Sequence, residues 1–250
     1  MTYNKVAIIT GAGRGIGAKT AKLFAQHQYA VCINYKNDAH SANQVADTIR
    51  QEGGQCIVVQ ADVSCEADVE RLFITVDEQL GTPTVLVNNA GMLKQQSRLD
   101  LMTAERINAI FTNNVTSYFL CSKAAVKRMS TRYGGKGGVI VNVSSAAART
   151  GSPNEYIDYA ASKGAIDTLT KGLSVEVADE GVRVNCVRPG LIYTDMHADG
   201  GEPERIERLK GNIPMQRGGQ PKEVAEAIYW LASDKSSFST GNFLDVTGGI

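Results

Sequence analysis

Tyr159 and Lys163 stand four residues apart, and on a helix such a pair shares one face. Of the chain's nine tyrosines, Tyr159 alone is followed at that spacing by a lysine. Together the two side chains can manage a proton. Hydride addition to a ketone leaves an alkoxide that must be protonated, and the reverse oxidation needs a base for the alcohol. A free phenol, with a pKa near ~10, is a poor acid–base group at neutral pH. An ammonium beside it stabilises the phenolate and brings that value down. A hydroxyl that polarises the carbonyl oxygen would complete the chemistry. The apolar run at 138–143 ends in Ser144-Ser145, of which Ser145 is the first candidate and Ser144 the second.

A second group of residues could hold an anion. The first apolar run leads into Thr10-Gly11-Ala12-Gly13-Arg14-Gly15-Ile16-Gly17, and a helix follows. Glycines let the backbone turn tightly and approach a pyrophosphate, while the helix start offers free N–H groups and a favourable dipole. The spacing Gly13, Gly15, Ala18 fits the dinucleotide fingerprint formally, but it sets the first glycine too far beyond the strand. Gly11, Gly15 and Gly17 are the better working set.

Short apolar runs alternate with amphipathic stretches along the whole chain. Strands are expected at 6–10, 30–35, 56–60, 84–88, 138–143, 183–188 and 242–246. Helices are expected at 18–28, 41–52 (closed by Gly53-Gly54), 66–79, 103–132, 155–179 and 222–232, the fourth interrupted near Asn113-Asn114. Strands without alternation, separated by helices, imply one α/β domain over residues 1–250: a doubly wound parallel sheet of about seven strands with helices on both faces, the Rossmann fold. The irregular stretch at 193–221 is long enough to be a lid over a site.

Composition narrows the function classes. With 26 Lys+Arg against 26 Asp+Glu, the chain carries no electrostatic footprint for nucleic acid or an anionic membrane. No apolar run approaches the ~18 residues of a membrane helix and no leader is read, so a cytoplasmic protein is expected. Five scattered cysteines suit reduced thiols in the core, and the three histidines lack ligand spacing, so no metal is expected.

Taken in order, Thr10-Gly11-x-x-x-Gly15-Ile16-Gly17, Asn88-Asn89-Ala90-Gly91, Ser145, Tyr159-x-x-x-Lys163 and Pro189-Gly190 resemble the short-chain dehydrogenase/reductase family, in its single-domain branch. The pattern is similar to glucose 1-dehydrogenases and to 3-oxoacyl-carrier-protein reductases. The resemblance adds Asn114 to Ser145, Tyr159 and Lys163 as a catalytic group, the asparagine sitting at a helix break and holding a water that links the lysine to solvent. It assigns Asp62-Val63 to the adenine, Asn88, Ala90 and Gly91 to cofactor support, and Ile192 and Thr194, after Pro189-Gly190, to the carboxamide. It also implies a homotetramer packed through the helices at 103–132 and 155–179. One departure stands out: Ser145 and Tyr159 are fourteen residues apart, one more than the commonest interval, which an extra residue within 147–155 explains. The commoner interval would select Ala146, which can polarise nothing.

At the end of the second strand, the position that carries a ribose-binding acid in NAD-preferring proteins is Tyr35 here. Without a carboxylate to repel a 2′-phosphate, and with Arg14 and Lys36 in reach of it, NADP is the expected cofactor and NAD remains open. The expected partner is a small carbonyl or alcohol, either a sugar or a 3-oxoacyl compound. The alternative is a dinucleotide-binding redox sensor without turnover; such a protein would need only the binding half of these residues.

Overall fold

The computed structural model describes residues 5–250. Its strands are β1 (Lys5–Ile9), β2 (Tyr29–Tyr35), β3 (Cys56–Gln60), β4 (Val85–Asn88), β5 (Gly138–Val143), β6 (Val182–Pro189) and β7 (Phe243–Val246). They pair throughout in parallel, in the order β3-β2-β1-β4-β5-β6-β7. The reason lies in the strands: β2 is buried at six successive positions and β4 at all four, so neither has a face for water. Helices must cover both sides. Ala7, Ile9, Val31 and Ile33 pack with Phe24, Val45 and Ile228 on one face; Ile8, Cys32, Leu86 and Ile140 pack with Leu72, Phe73 and Met129 on the other.

The longer helices are α1 (Gly15–Gln26), α2 (Ala39–Gln51), α3 (Glu66–Gln79), α4 (Ala104–Phe111) and α5 (Ser117–Met129), followed after the four-residue α6 (Ala147–Thr150) by α7 (Ile157–Glu176). The short α8 (Met196–Asp199) and α9 (Arg205–Leu209) precede α10 (Pro221–Ala232). Two starts are earlier than expected, for reasons that are local. Helix α1 begins within the glycine turn itself, at Gly15. Helix α2 is capped by Asp38, whose carboxylate accepts from the Ser41 N–H at 3.0 Å. The 193–221 segment is less irregular than expected, since it contains α8 and α9.

The expected interruption near Asn113-Asn114 is a π-helical turn, Thr112–Thr116, joining α4 to α5. Such turns insert one residue into the helical ladder and gather at functional sites. Helix α7 is held at its start by a buried ion pair. Arg106 of α4 donates to Asp158 at 2.7 Å, and Asp158 in turn accepts from the Tyr159 backbone N–H at 2.9 Å. Removing one member of a buried pair leaves the other uncompensated. Arg106→Met should therefore cost about 3 kcal/mol of stability, read by urea denaturation; a loss below about 0.5 kcal/mol, the size of ordinary surface substitutions, would show that the pair does not anchor α7.

Candidate active site

The chain leaves β1 toward β2 and β3, then returns to place β4 on the other flank of β1. This reversal opens a crevice at the carboxyl ends of the strands, where open α/β sheets bind ligands. Thr10 ties the two strand ends together. Its hydroxyl accepts from the N–H groups of Asn89 at 2.9 Å and Ala90 at 3.0 Å. Asn89 returns its side-chain amide to the carbonyls of Thr10 at 2.9 Å and Gly11 at 3.1 Å. Gly17 sits beneath this knot: a Cβ there would lie 2.5 Å from the Gly11 carbonyl oxygen and 2.6 Å from Asn89 Nδ2. Gly11 and Gly15 take φ of 61° and 55°, which side chains resist. Arg14 provides no side-chain cap to α1. A glycine cradle at the start of a twelve-residue helix without a side-chain cap fits a pyrophosphate.

The catalytic candidates meet across the next strand end. Ser144 is buried and donates to the Lys163 carbonyl at 3.1 Å, so it serves the packing of α7. Ser145 is only partly buried and lines the cleft together with Tyr159, its hydroxyl accepting from the Ala147 N–H at 3.1 Å. The interval of fourteen residues is taken up by α6 and a tight loop in which Gly151, Ser152 and Asn154 all have positive φ. Lys163 is 3% exposed. It donates to the Val143 carbonyl at 2.8 Å and to Tyr118 Oη at 3.2 Å, and lies 5.7 Å from the centre of the Tyr159 ring.

The electrostatics of the protein alone differ from the sequence expectation. Burial pushes the Tyr159 phenol up to about 12, and the Ser145 hydroxyl draws it only part of the way back. Burial likewise brings the Lys163 ammonium down to about 8, against the opposing pull of Cys186 and Asp167. The lysine does not reverse the tyrosine's shift, because its ammonium points to Val143 and Tyr118 rather than to the phenol oxygen. Asn114 is fully buried in the π turn and brackets Met92, accepting from its N–H at 2.9 Å and donating to its carbonyl at 3.0 Å. A Cβ on Gly91 would lie 3.6 Å from Lys163 Nζ and 3.8 Å from Asn114 Oδ1, so both groups border that glycine.

The remaining residues divide into those at the crevice and those beneath it. Ile16, Gly91, Pro189, Gly190, Ile192 and Thr194 line one cleft of about 250 Å³ together with Ser145, Tyr159 and Lys163. Asn88 is buried below it, donating to Asn142 at 2.9 Å and Ser122 at 3.1 Å; its role is to brace β4 against β5. Ala90 packs its Cα against Gly11. The Val63 side chain belongs to the core, and Asp62 is held by Lys36 at 2.7 Å and by Ser64. Burial would raise the Asp62 carboxyl, yet the Lys36 and Ser64 bonds keep it below the usual range. Tyr35 ends β2, half-buried. Arg14 is ion-paired with Asp199 of α8.

Three contributors escaped the sequence reading. Asn89, next to the chosen Asn88, carries the turn-binding side chain. Thr10 stands in the glycine motif without an assigned role and Tyr118 was not selected; the fold shows that Thr10 bridges β1 and β4 and that Tyr118 reaches Lys163 across 45 positions. The far wall of the cleft comes from Tyr156 and from Met196, His197, Arg205 and Leu209 in 193–221. That segment is fastened to its surroundings: Glu202 accepts from Gln96 at 2.6 Å, Arg205 at 3.0 Å and Arg208, while Glu155 binds both arginines.

The Gly17 cradle yields a direct test. Gly17→Ala should destabilise the fold by about 2 kcal/mol, as overpacking against backbone does, and weaken dinucleotide binding at least about tenfold. Chemical denaturation and calorimetric titration would read the two effects; unchanged dinucleotide affinity would remove the turn from the binding site.

A family model described as enoyl-(acyl carrier protein) reductase matches residues 11–250. The chain is 58% identical over 244 residues to the oxidoreductase YgfF of Escherichia coli (strain K12), covering 98% of this chain and 99% of that one. It is 37% identical to glucose 1-dehydrogenase 2 of Bacillus subtilis (strain 168), covering 98% and 94%. It is 38% identical to the 3-oxoacyl-[acyl-carrier-protein] reductase of Synechocystis sp. (strain ATCC 27184 / PCC 6803 / Kazusa), covering 98% and 96%. A crystal structure of a short-chain type dehydrogenase/reductase from Mycobacterium marinum superposes with a TM-score of 0.92 at 32% identity, covering 98% of this chain and 94% of that one. With this fold, this crevice and these matches, the chain belongs to the short-chain dehydrogenase/reductase family of NAD(P)-dependent oxidoreductases.

Proposed function

We propose that this protein is an NADP(H)-preferring oxidoreductase that interconverts a carbonyl and a secondary alcohol on a small molecule, with Tyr159 as the acid and base. The observation that carries the reading is the convergence of Ser145, Tyr159 and Lys163 on one cleft at the carboxyl edge of the sheet, beside an uncapped glycine turn. A redox sensor needs the turn alone, so the assembled polar group favours an enzyme.

A nicotinamide dinucleotide bound in the crevice would supply or accept the hydride. The glycine turn and the start of α1 would hold its pyrophosphate, with Ile192 and Thr194 nearer the nicotinamide end. Ser145 donates to the substrate carbonyl oxygen and polarises it. Tyr159, protonated well above neutral pH, delivers the proton to that oxygen in reduction. Lys163 keeps a cation next to the ring where phenolate charge develops. Asn114 fixes the Met92 backbone, next to the Gly91 that borders Lys163, and so shapes the route for reprotonation.

The absence of an acid at Tyr35, with Arg14 and Lys36 nearby, supports NADP over NAD. For the substrate, Arg205 is neutralised by Glu155 and Glu202 and lies 5.0 Å over the Tyr156 ring. With that cation already paired and Leu93, Met196 and Leu209 in the wall, a neutral free carbonyl compound suits the cleft better than an anionic one. Both a sugar and an acyl compound remain within that description. A homotetramer is also proposed, since α4, α5 and α7 expose Phe111, Phe119, Ile157 and Val175. Phe119→Glu should convert the native species to a smaller one by gel filtration with light scattering; an unchanged mass would exclude that face.

The chemistry is tested by NADPH consumption against a panel of sugars, β-ketoacyl thioesters and simple ketones. Tyr159→Phe should lower kcat/KM by about a thousandfold with dinucleotide affinity retained. The lysine cation is the protonated form, and its population falls above its pKa. Reduction should therefore decline as pH rises through about 8, the value to which burial brings Lys163. Lys163→Arg, charged at every working pH, should lose that decline even if slower overall. A flat profile in the parent protein, or a Tyr159→Phe variant at full rate, would remove these roles.

A further inference from the structure

The 193–221 segment touches the glycine turn at two points. Asp199, at the end of α8, is ion-paired with Arg14, the residue that opens α1. Thr194 packs over the turn, such that a Cβ on Gly15 would lie 3.3 Å from Thr194 Cγ2. Arg14 is one of the two cations assigned to a 2′-phosphate. The other, Lys36, is paired with Asp62 at 2.7 Å. Each cation thus already has a carboxylate supplied by the protein.

The two counterions are not equivalent. Asp62 is fixed in place, accepting from the Ser64 N–H at 3.0 Å and the Ser64 hydroxyl at 2.6 Å. Asp199 sits on a four-residue helix, with its side chain 44% exposed, in the same segment that walls the substrate cleft. A guanidinium that turns to a doubly charged phosphate while still holding Asp199 brings two anions together, and that repulsion grows as water is excluded.

We infer that Asp199 is a specificity-determining residue: it competes with the cofactor's 2′-phosphate for Arg14, so seating of the 193–221 segment on the glycine turn opposes tight binding of a 2′-phosphorylated nucleotide. A dinucleotide with a free 2′-hydroxyl leaves the Arg14–Asp199 pair intact. The segment's other ties, from Arg205 and Arg208 to Glu155 and Glu202, do not involve Arg14 or the glycine turn. The competition therefore loosens one end of the segment, at α8. It also tempers the preference for NADP. This inference rests on the NADP reading of Arg14 given above.

Calorimetric titration of the protein and its Asp199→Asn variant with NADP+, NAD+, 2′,5′-ADP and 5′-AMP tests it without recourse to turnover. Asn keeps the shape at an exposed position while removing the charge. NADP+ and 2′,5′-ADP should bind the variant about three- to tenfold more tightly, a gain that shrinks with added salt, while NAD+ and 5′-AMP bind as before. An equal gain for all four ligands would make Asp199 a general obstruction and overturn the competition. No gain, in a protein whose Arg14→Ala variant binds 2′,5′-ADP more weakly, would overturn it while leaving Arg14 as the phosphate ligand. If Arg14→Ala does not affect 2′,5′-ADP, the NADP reading of Arg14 falls, and the inference with it. Amide hydrogen exchange offers a second readout. Exchange across 196–200 should be faster with NADP+ than with NAD+ in the parent protein, and equal in Asp199→Asn; no difference in the parent protein counts against the idea.

Discussion

The site depends on where a buried ammonium finds its acceptors. Lys163 is almost wholly enclosed, and an enclosed cation without partners is costly enough to dictate its surroundings. It takes the Val143 carbonyl, the last of β5, and the Tyr118 hydroxyl from α5. Tyr118 also donates to that same carbonyl, at 2.9 Å. One charge thereby fastens a strand end, α5 and α7 together. Ser145 follows directly from the strand, Tyr159 lies one turn back on the helix, and Asn114 sits in the π turn that lets α5 approach. Burial lowers the lysine and raises the tyrosine, so the same enclosure that fixes the geometry also separates the two groups' protonation ranges.

The cofactor half is organised by a different device, a knot of neutral hydrogen bonds. Thr10 and Asn89 exchange bonds between the ends of β1 and β4, and Asn34 adds another, its side-chain carbonyl accepting from the Gly11 N–H at 3.3 Å. Their polar groups are spent on the protein's own backbone, which stiffens the turn and leaves the start of α1 uncapped for an anion. Rigidity on this side contrasts with the substrate wall. There, charged side chains on short helices hold 193–221 to Glu155 and to the glycine turn. The Arg14–Asp199 pair is exposed on both sides, and such pairs are weak and salt-sensitive, whereas Arg205 is buried.

Much of this could be read from residue order alone. Unbroken apolar runs implied buried parallel strands, and they stand within a residue or two of where they were expected. Gly11, Gly15 and Gly17 were recognisable because glycine is demanded where a backbone turns through positive φ or packs against a carbonyl. Tyr159 and Lys163 were recognisable because a fixed helical spacing joins them, and Ser145 because it closes a strand on the ligand-bearing edge. These are properties that adjacent residues carry with them.

Tertiary structure decided what depends on distant partners. Asn88 and Asn89 are neighbours of one type, yet β4 directs the first beneath the sheet surface toward Asn142 and the second onto the turn. Nothing in the sequence tells Ser144 from Ser145 beyond their position, whereas the fold buries Ser144 against α7 and leaves Ser145 partly exposed. Tyr118 reaches Lys163, and Asp199 reaches Arg14, only because crossovers bring residues 45 and 185 positions apart into contact. The sequence by itself determined the fold class, the glycine turn and the shared face of Tyr159 and Lys163, because backbone conformation and i, i+4 spacing are local. Charge pairing, burial and the shifts in proton affinity that follow from them are sums over the whole folded chain, so only the tertiary structure could decide them.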